Sequence, residues 1–512
     1  MTNTKTIARN TGWYGIEIVS NFIVTLFTSI AIARTLGPSK NGYIVYVSYI
    51  AGVVSTLGGF GIPAATRKYM AEFLAGGDRG TARYIYLRTF MLQTILATLA
   101  TAGLLVWVLG AHVEYVTHAE YRTASVLLVL SIWPSMVNLI SASANVATED
   151  LAANMPASVL SSLTYFIVIA LTVVLKWGVV GVGMSMLIMR LVDFLVRHFP
   201  TMKRVLAWET THVHPPGLRR RMISFAWQSV ASMVVALIVW SRSEVILLKS
   251  FCADIRQVAY YSVAFSMADQ LLLGSTIFGW STGATIFAQV GRDKSRLPYI
   301  TATTFRYLAL MSIPLHFIFA AISVSVLLLL YGVQYAGAAT VVALAPLLCI
   351  FKAFAAPAQN LLQSMERQVY VIVATVLAGI VDIGVAWYLI PAHGAVGACI
   401  GNGAAQFVAV GIMWAVSIRF YKVKLPWLLV AKIAFISVLA ALTAHLIAVH
   451  FSPVWAILCG GTAALIVLFG LFYLMRVLEP EDHNRLGTVV RMLPKQIATP
   501  TSTILDLLNP SA

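Results

Sequence analysis

The chain has 512 residues, 59% of them hydrophobic and only 11% charged, with a mean hydropathy of +0.85. A soluble protein cannot cover about 300 apolar residues with so little polar surface, which excludes a soluble enzyme. Long unbroken apolar runs argue against an outer-membrane barrel and supply about 14 helical spans at ~20 residues each. The net charge of +16 would suggest nucleic acid in a soluble chain, but the cations sit in short loops between apolar runs, so membrane topology accounts for them and no nucleic-acid partner is expected.

Lys5 and Arg9 precede an apolar run ending in Ala31-Ile32-Ala33, a pattern that resembles a cleavage site. Glu17 and Asn21 interrupt the run and another span follows closely, so it reads as an uncleaved first span. Apolar windows predict spans at 11–34, 43–65, 84–109, 123–147, 156–176 and 179–199, and then at 223–248, 258–288, 302–331, 337–363, 369–390 and 395–418. Two more follow at 427–450 and 453–475. The runs at 258–288 and 302–331 exceed a bilayer width and are expected to tilt or to project into water.

A cytoplasmic N-terminus places Arg67, Lys68, Arg79, Arg83, Lys203, Arg204, Arg219 to Arg221, Arg292, Lys294, Arg296, Arg367, Arg419, Lys422 and Lys424 inside, with the basic residues of the tail. The outer loops hold little beyond Lys40, Arg122, Lys176, Lys249 and Arg256, so both termini are predicted cytoplasmic. The domains expected are a six-helix lobe over 1–206, a basic cytoplasmic linker over 207–222, a second six-helix lobe over 223–420, two extra helices over 421–476 and a cytoplasmic tail over 477–512. His212 and His214 in the linker are too few for a stable metal site, and the four cysteines read as small buried hydrophobes; no cofactor is expected.

The two halves are similar. Tyr121, Asn138, Asn145 and Glu149 coincide with Tyr335, Lys352, Gln359 and Gln363 at a shift of 214 residues, and Gly178-Val-Val-Gly181 matches Gly394-Ala-Val-Gly397 at 216. Gly42-Tyr43 and Ala259-Tyr260 follow comparable spans. Six spans per half give a parallel repeat about an axis along the membrane normal, with the last two spans outside it. The fold class is thus an all-α integral membrane protein of about 14 helices.

Asn138, Ser141, Asn145 and Glu149 share one helical face, as do Glu17, Asn21, Thr25 and Thr28 in the first span. Such stripes either face a watery cavity or join helices. Ionisable residues at depth are costly, which singles out Glu17, Arg190, Asp193, Arg242, Glu244, Asp269, Lys352 and Asp382. Arg190 and Asp193 lie i, i+3 and could neutralise each other; Arg242 and Glu244 point apart and each needs another partner. Arg242 and Lys352 are the sharper candidates for binding an anion, with Arg34 and Lys249 near the outer ends of equivalent spans. The candidate substrate residues are therefore Arg34, Arg242, Lys352, Lys249, Arg190, Asn138, Asn145 and Gln359, and the candidate ion-coupling residues are Glu17, Glu244, Asp269 and Asp382. No P-loop, HExxH, nucleophile elbow or acidic catalytic loop is present, so no enzymatic activity is expected.

Ile32-Ala-Arg-Thr-Leu-Gly-Pro-Ser-Lys-Asn-Gly-Tyr43 resembles the start of the bacterial polysaccharide-biosynthesis flippases, as does Gly58-Gly-Phe-Gly-Ile-Pro-Ala-Ala-Thr-Arg-Lys-Tyr69. Val258-Ala-Tyr-Tyr-Ser-Val-Ala264 is similar to their second-half counterpart. Ser241-Arg-Ser-Glu244 departs from the pattern, since relatives often carry an aspartate followed by a basic residue; Glu244 could take the acidic role. The resemblance, to the O-antigen and exopolysaccharide branch of the multidrug/oligosaccharidyl-lipid/polysaccharide exporter superfamily, implies a flippase in the bacterial inner membrane. Its substrate would be an undecaprenyl-diphosphate-linked oligosaccharide, carried between two lobes by alternating access. Membrane lipids, a polysaccharide polymerase and a chain-length regulator are implied partners. An ion-coupled cation or drug antiporter of the same superfamily is the alternative, against which the buried cations speak.

Overall fold

A computed structural model describes residues 4–110, 118–210, 216–290 and 293–478, without the side chains of 4–20, 151, 152, 232, 280, 284 and 288. Among the described residues every regular element is helical. The α-helices are α1 (Thr4–Leu57), α2 (Ile62–Ala75), α3 (Arg79–Gly110), α4 (Ala119–Leu130), α5 (Ile132–Ala147), α6 (Met155–Val174), α7 (Gly178–Leu206), α8 (Leu218–Trp240) and α9 (Glu244–Phe251). They continue with α10 (Arg256–Leu271), α11 (Leu273–Val290), α12 (Leu297–Tyr331), α13 (Ala339–Ala353), α14 (Ala355–Ser364), α15 (Gln368–His393), α16 (Ala395–Tyr421), α17 (Trp427–Ala448) and α18 (Pro453–Leu474). Among the described residues, twelve helical stretches are long and apolar enough to cross a membrane. They expose large side chains such as Val174, Ile380, Trp387 and Ile466, as a lipid-facing surface requires.

The helix boundaries refine the sequence reading. The first two predicted spans are not separated by a loop: α1 runs through both, kinked at Gly37 (φ 72°, ψ 170°) before Pro38. The span expected at 43–65 ends instead at Leu57, and a turn through Phe60 (φ 45°) and Gly61 (φ 67°) leads into α2. The run at 258–288 is not one long helix but α10 and α11, broken at Leu272. The spans predicted at 123–147 and 337–363 also break, at Ser131 and Phe354. In both, a proline three residues on (Pro134, Pro357) removes the amide that would bond the carbonyl four residues back. α12 stays continuous through Pro314, and its 35 residues span about 52 Å.

The chain divides into one compact unit up to Leu237 and another from Ile238, so the division falls inside α8. In the first unit α7 packs on α4, α5 and α6, while α5 also meets α2 and α3. In the second, α16 packs on α13 and α15, and α12 on α13, α17 and α18.

The internal repeat is visible in local packing. Tyr43 meets Tyr121 edge-on at 4.8 Å, and Tyr260 meets Tyr335 edge-on at 6.3 Å. A Cβ at Gly181 would lie 2.4 Å from the Thr172 side chain, and one at Gly397 2.6 Å from the Leu389 backbone, so glycine sets both helix crossings. Two chain reversals end alike, with a glutamate in the left-handed region (Glu149, φ 56°; Glu366, φ 58°). The next amide returns to the carbonyl five residues back, Asp150 to Asn145 and Arg367 to Leu362.

Candidate functional site: a hydroxyl-lined cavity with two arginines and a buried carboxyl pair

The first unit holds a cavity of about 620 Å³. α1 contributes Ser48, Ser55 and Thr56; Ser131, at the α4–α5 break, joins Ser135 and Ser143 of α5. Two cations enter it, Arg67 from the second turn of α2 and Arg190 from the middle of α7. Met186, Met189 and Met233 supply an adaptable apolar wall, and no carboxylate lines it among the described residues. Both arginines are solvent-accessible, and neither has a described carboxylate within ion-pair distance. Ser131, Ser135, Leu139 and Ser143 recur every four residues, so one stripe of this segment faces the cavity. A space this size, with donors, two cations and no competing acid, can accommodate an anionic, hydroxyl-rich head group.

The expected Asn138 stripe lies on a different face. Asn138 is buried and donates to Asp193 Oδ2 at 2.6 Å. Asn145 donates to Asn154 at 2.9 Å and accepts from Thr201 at 3.0 Å. Ser141 contacts Tyr86 and His198, both at 3.1 Å. These polar groups join helices and do not face a water-filled space, which corrects the expectation for Asn138 and Asn145. The pairing of Arg190 with Asp193 is corrected as well. Asp193 is taken by Arg197 at 2.6 Å and by Asn138, and Arg190 is left to the cavity. In the first span Asn21 accepts from Ser162, another interhelical bond, while the side chain of Glu17 lies outside the described residues.

In the second unit, Arg242 and Lys352 converge on one ring. The Arg242 guanidinium lies 5.3 Å and Lys352 Nζ 5.7 Å from the centroid of Phe265. Lys352 Nζ is also 2.8 Å from Asp269 Oδ1. Asp269 is exposed and already neutralised, unlike the deep ion-coupling carboxylate expected, and Lys352 is half-committed to it. Gln359 is half-buried on α14, beyond the break at Phe354, so it shares no continuous helix with Lys352. Arg34 is exposed on α1 and Lys249 half-buried on α9; neither lines the cavity.

Glu244 and Asp382 come together. Both are almost completely buried, 0% and 1% exposed, and their carboxyl groups are close neighbours. Tyr261 donates to Glu244 Oε2 at 2.7 Å, and the Ser243 hydroxyl lies 3.3 Å from Asp382 Oδ2. Glu244 Oε1 and Asp382 Oδ1 have no conventional donor. Two carboxyl groups so placed, with no cationic side chain paired to them among the described residues, form a site suited to a shared proton or a bound cation. Beside them, Cys349 and Cys399 are buried as expected and Cys252 partly so, whereas Cys459 is exposed on α18.

A family model described as "Polysaccharide biosynthesis protein" matches residues 7–287, more than half of the chain. The chain belongs to the polysaccharide biosynthesis protein family. No curated protein sequence matches it. Among solved structures, it is similar to the lipid II flippase MurJ in an inward closed conformation (TM-score 0.67, 14% identity, covering 90% of this chain and 98% of that one). It is also similar to a multidrug-resistance MATE family transporter of the MOP superfamily in an inward-facing conformation (TM-score 0.62, 16% identity, covering 77% and 93%). At these identities the likeness establishes the fold. Family, fold and long apolar helices together mark a multi-pass membrane protein of the polysaccharide biosynthesis family.

Proposed function

We propose that this protein flips undecaprenyl-diphosphate-linked oligosaccharide units from the cytoplasmic to the periplasmic leaflet of the bacterial inner membrane by alternating access, for assembly of a surface polysaccharide. The observation that carries the reading is the first-unit cavity: Arg67 and Arg190 stand among six hydroxyls, with no carboxylate in the lining among the described residues. Arginine forks suit a diphosphate, hydroxyls suit a sugar, and the lipid tail needs no protein pocket because it can remain in the bilayer. The family description and a flippase among the fold relatives agree with a lipid-linked substrate. A cation or drug antiporter would instead place acidic groups in the cavity. In this reading the Glu244–Asp382 pair couples transport to a proton or sodium gradient, Arg242 and Lys352 assist in holding the anion, and both termini are cytoplasmic. The polymerase and the chain-length regulator are the partners downstream.

The test is translocation of a fluorescent undecaprenyl-diphosphate sugar in proteoliposomes. Charge-assisted hydrogen bonds are worth about 1.5–3 kcal/mol, so Arg67→Gln and Arg190→Gln should each slow flipping about 10- to 100-fold at equal protein levels. Wild-type rates in both variants would remove the cavity from the substrate path. Gradient-driven uptake of a cationic dye, with no flipping, would favour the antiporter.

A further inference from the structure

One end of the first unit gathers charges that the translocation reading does not use. Arg83, near the start of α3, donates to the carbonyls of Leu206 and Trp208 at 3.0 and 2.7 Å, which joins that start to the end of α7. Arg221, near the start of α8, binds Glu72 in the last turn of α2 at 2.9 Å. The four helix ends therefore lie together. On them, Arg79, Lys203, Arg219 and Arg220 are exposed and make no ion pair with a described residue. Of the nearby carboxylates, Glu72 is committed to Arg221, Asp150 to Arg204 at 3.2 Å and Asp78 to the Thr81 amide at 2.8 Å; Glu149, next to Asp150, and Glu209 are the others. A few turns along α8, about 10 Å from these arginines, Trp227 is 61% exposed. An exposed tryptophan at that distance from a cluster of cations is the arrangement of a headgroup-level aromatic belt.

We infer that this end of the unit is a binding surface for anionic phospholipid headgroups, with Arg79, Lys203, Arg219 and Arg220 contacting the phosphates while Trp227 sits at the level of the glycerol backbone. The occupant is bulk phospholipid such as phosphatidylglycerol and not the transported diphosphate. The four cations line no part of the Arg67–Arg190 cavity, and they converge on an outer surface where charge complementarity selects an acidic headgroup over a zwitterionic one.

The experiment uses the full-length protein in detergent, titrated with phosphatidylglycerol or phosphatidylethanolamine and read by native mass spectrometry. Removing one surface cation should weaken phosphatidylglycerol binding about fivefold, and Arg219→Gln with Arg220→Gln about twentyfold. Phosphatidylethanolamine should bind weakly to every form. Arg122→Gln in the first turn of α4, combined with Lys176→Gln just before the start of α7, should bind phosphatidylglycerol as the wild type does, as should Arg67→Gln. Wild-type binding in the fourfold glutamine variant would overturn the proposal. So would an equal loss in the Arg122 and Lys176 double variant, which would mean diffuse electrostatics, or a loss in Arg67→Gln, which would place the lipid in the cavity. A melting curve for each variant, expected unchanged because the four side chains are exposed and make no ion pair with a described residue, separates weakened binding from misfolding.

Discussion

Gly61 lies where the cavity wall meets α8, so a single methyl group there should have two separable effects. The backbone is left-handed (φ 67°), and a residue with a Cβ pays about 1–2 kcal/mol in that region. A Cβ at this position would also lie 2.2 Å from the Ala226 carbonyl oxygen and 2.9 Å from its carbon, backbone atoms that no rotamer change can move. α2 and α8 would have to separate by about 1 Å, an overpacking cost of about 1–3 kcal/mol. Gly61→Ala should therefore lose about 2–5 kcal/mol. Gly77 is the control, because it is also left-handed (φ 80°) but has nothing within 4 Å of the added carbon, so Gly77→Ala should lose only the conformational part, about 1–2 kcal/mol. Equilibrium unfolding in mixed micelles, followed by tryptophan fluorescence, measures both. Gly61, Pro63, Ala64 and Arg67 all line the cavity, so the displacement should also slow flipping in Gly61→Ala and leave Gly77→Ala near wild type. Equal destabilisation of the two variants would refute the contact argument, and a normal flipping rate in a destabilised Gly61→Ala would separate this wall from transport.

The buried carboxyl pair, the polar bonds and the cation pair each have their own check. Glu244→Gln keeps the side-chain volume and gives Asp382 an amide donor, so the protein should fold while its flipping stops responding to an imposed proton or sodium gradient; an unchanged gradient response would remove the pair from coupling. Asn145→Ala leaves the Asn154 side-chain oxygen without its Asn145 donor, while Thr201 keeps its bond to the Arg197 carbonyl, and should cost about 1–2 kcal/mol in unfolding measurements, with flipping per folded molecule preserved; lost transport at normal stability would return Asn145 to the substrate path. If Lys352 only neutralises Asp269, then Lys352→Asp combined with Asp269→Lys should restore the flipping that either change alone reduces; failure of the double exchange to restore it would make the cation itself the requirement.

What was legible in the sequence follows from how local each determinant is. Apolar runs and charge placement depend on nearby residues alone, so the helical membrane fold and the repeat could be read directly. Tyr43 with Tyr121 and Tyr260 with Tyr335 then appear as two versions of one contact. The cavity was harder because a polar stripe does not carry its own orientation. Asn138 and Ser135 are one turn apart and differ by only about 60° around the helix, yet one bonds Asp193 and the other faces open space. Which stripe faces a neighbour is fixed by α7, whose own register was ambiguous: Asp193 could choose Arg190 at i−3 or Arg197 at i+4, and the i+4 pair won. That choice frees Arg190. Arg67 was obscured for another reason, since a cation near a helix start reads as a loop charge until the turn at Phe60 and Gly61 is known to direct α2 along the cavity. The recurrence of Ser131, Ser135 and Ser143 was the available signal, being a small-hydroxyl stripe next to, but distinct from, the larger amides.

The carboxyl pair was legible in part, because cost alone identifies it. Each of Glu244 and Asp382 is too expensive to bury without a purpose, and the sequence marks both. Their meeting needs the break between α8 and α9, which turns Glu244 toward α10 and α15 while Arg242, two residues earlier, swings over Phe265. A guanidinium at Arg242 on the Glu244 side would have formed an ordinary buried ion pair and left no carboxyl free to take up a proton or a cation. The break keeps the two charges apart. One short non-helical segment thus fixes both the position of a candidate substrate cation and the lack of a fixed counter-charge that makes the pair suited to gradient coupling.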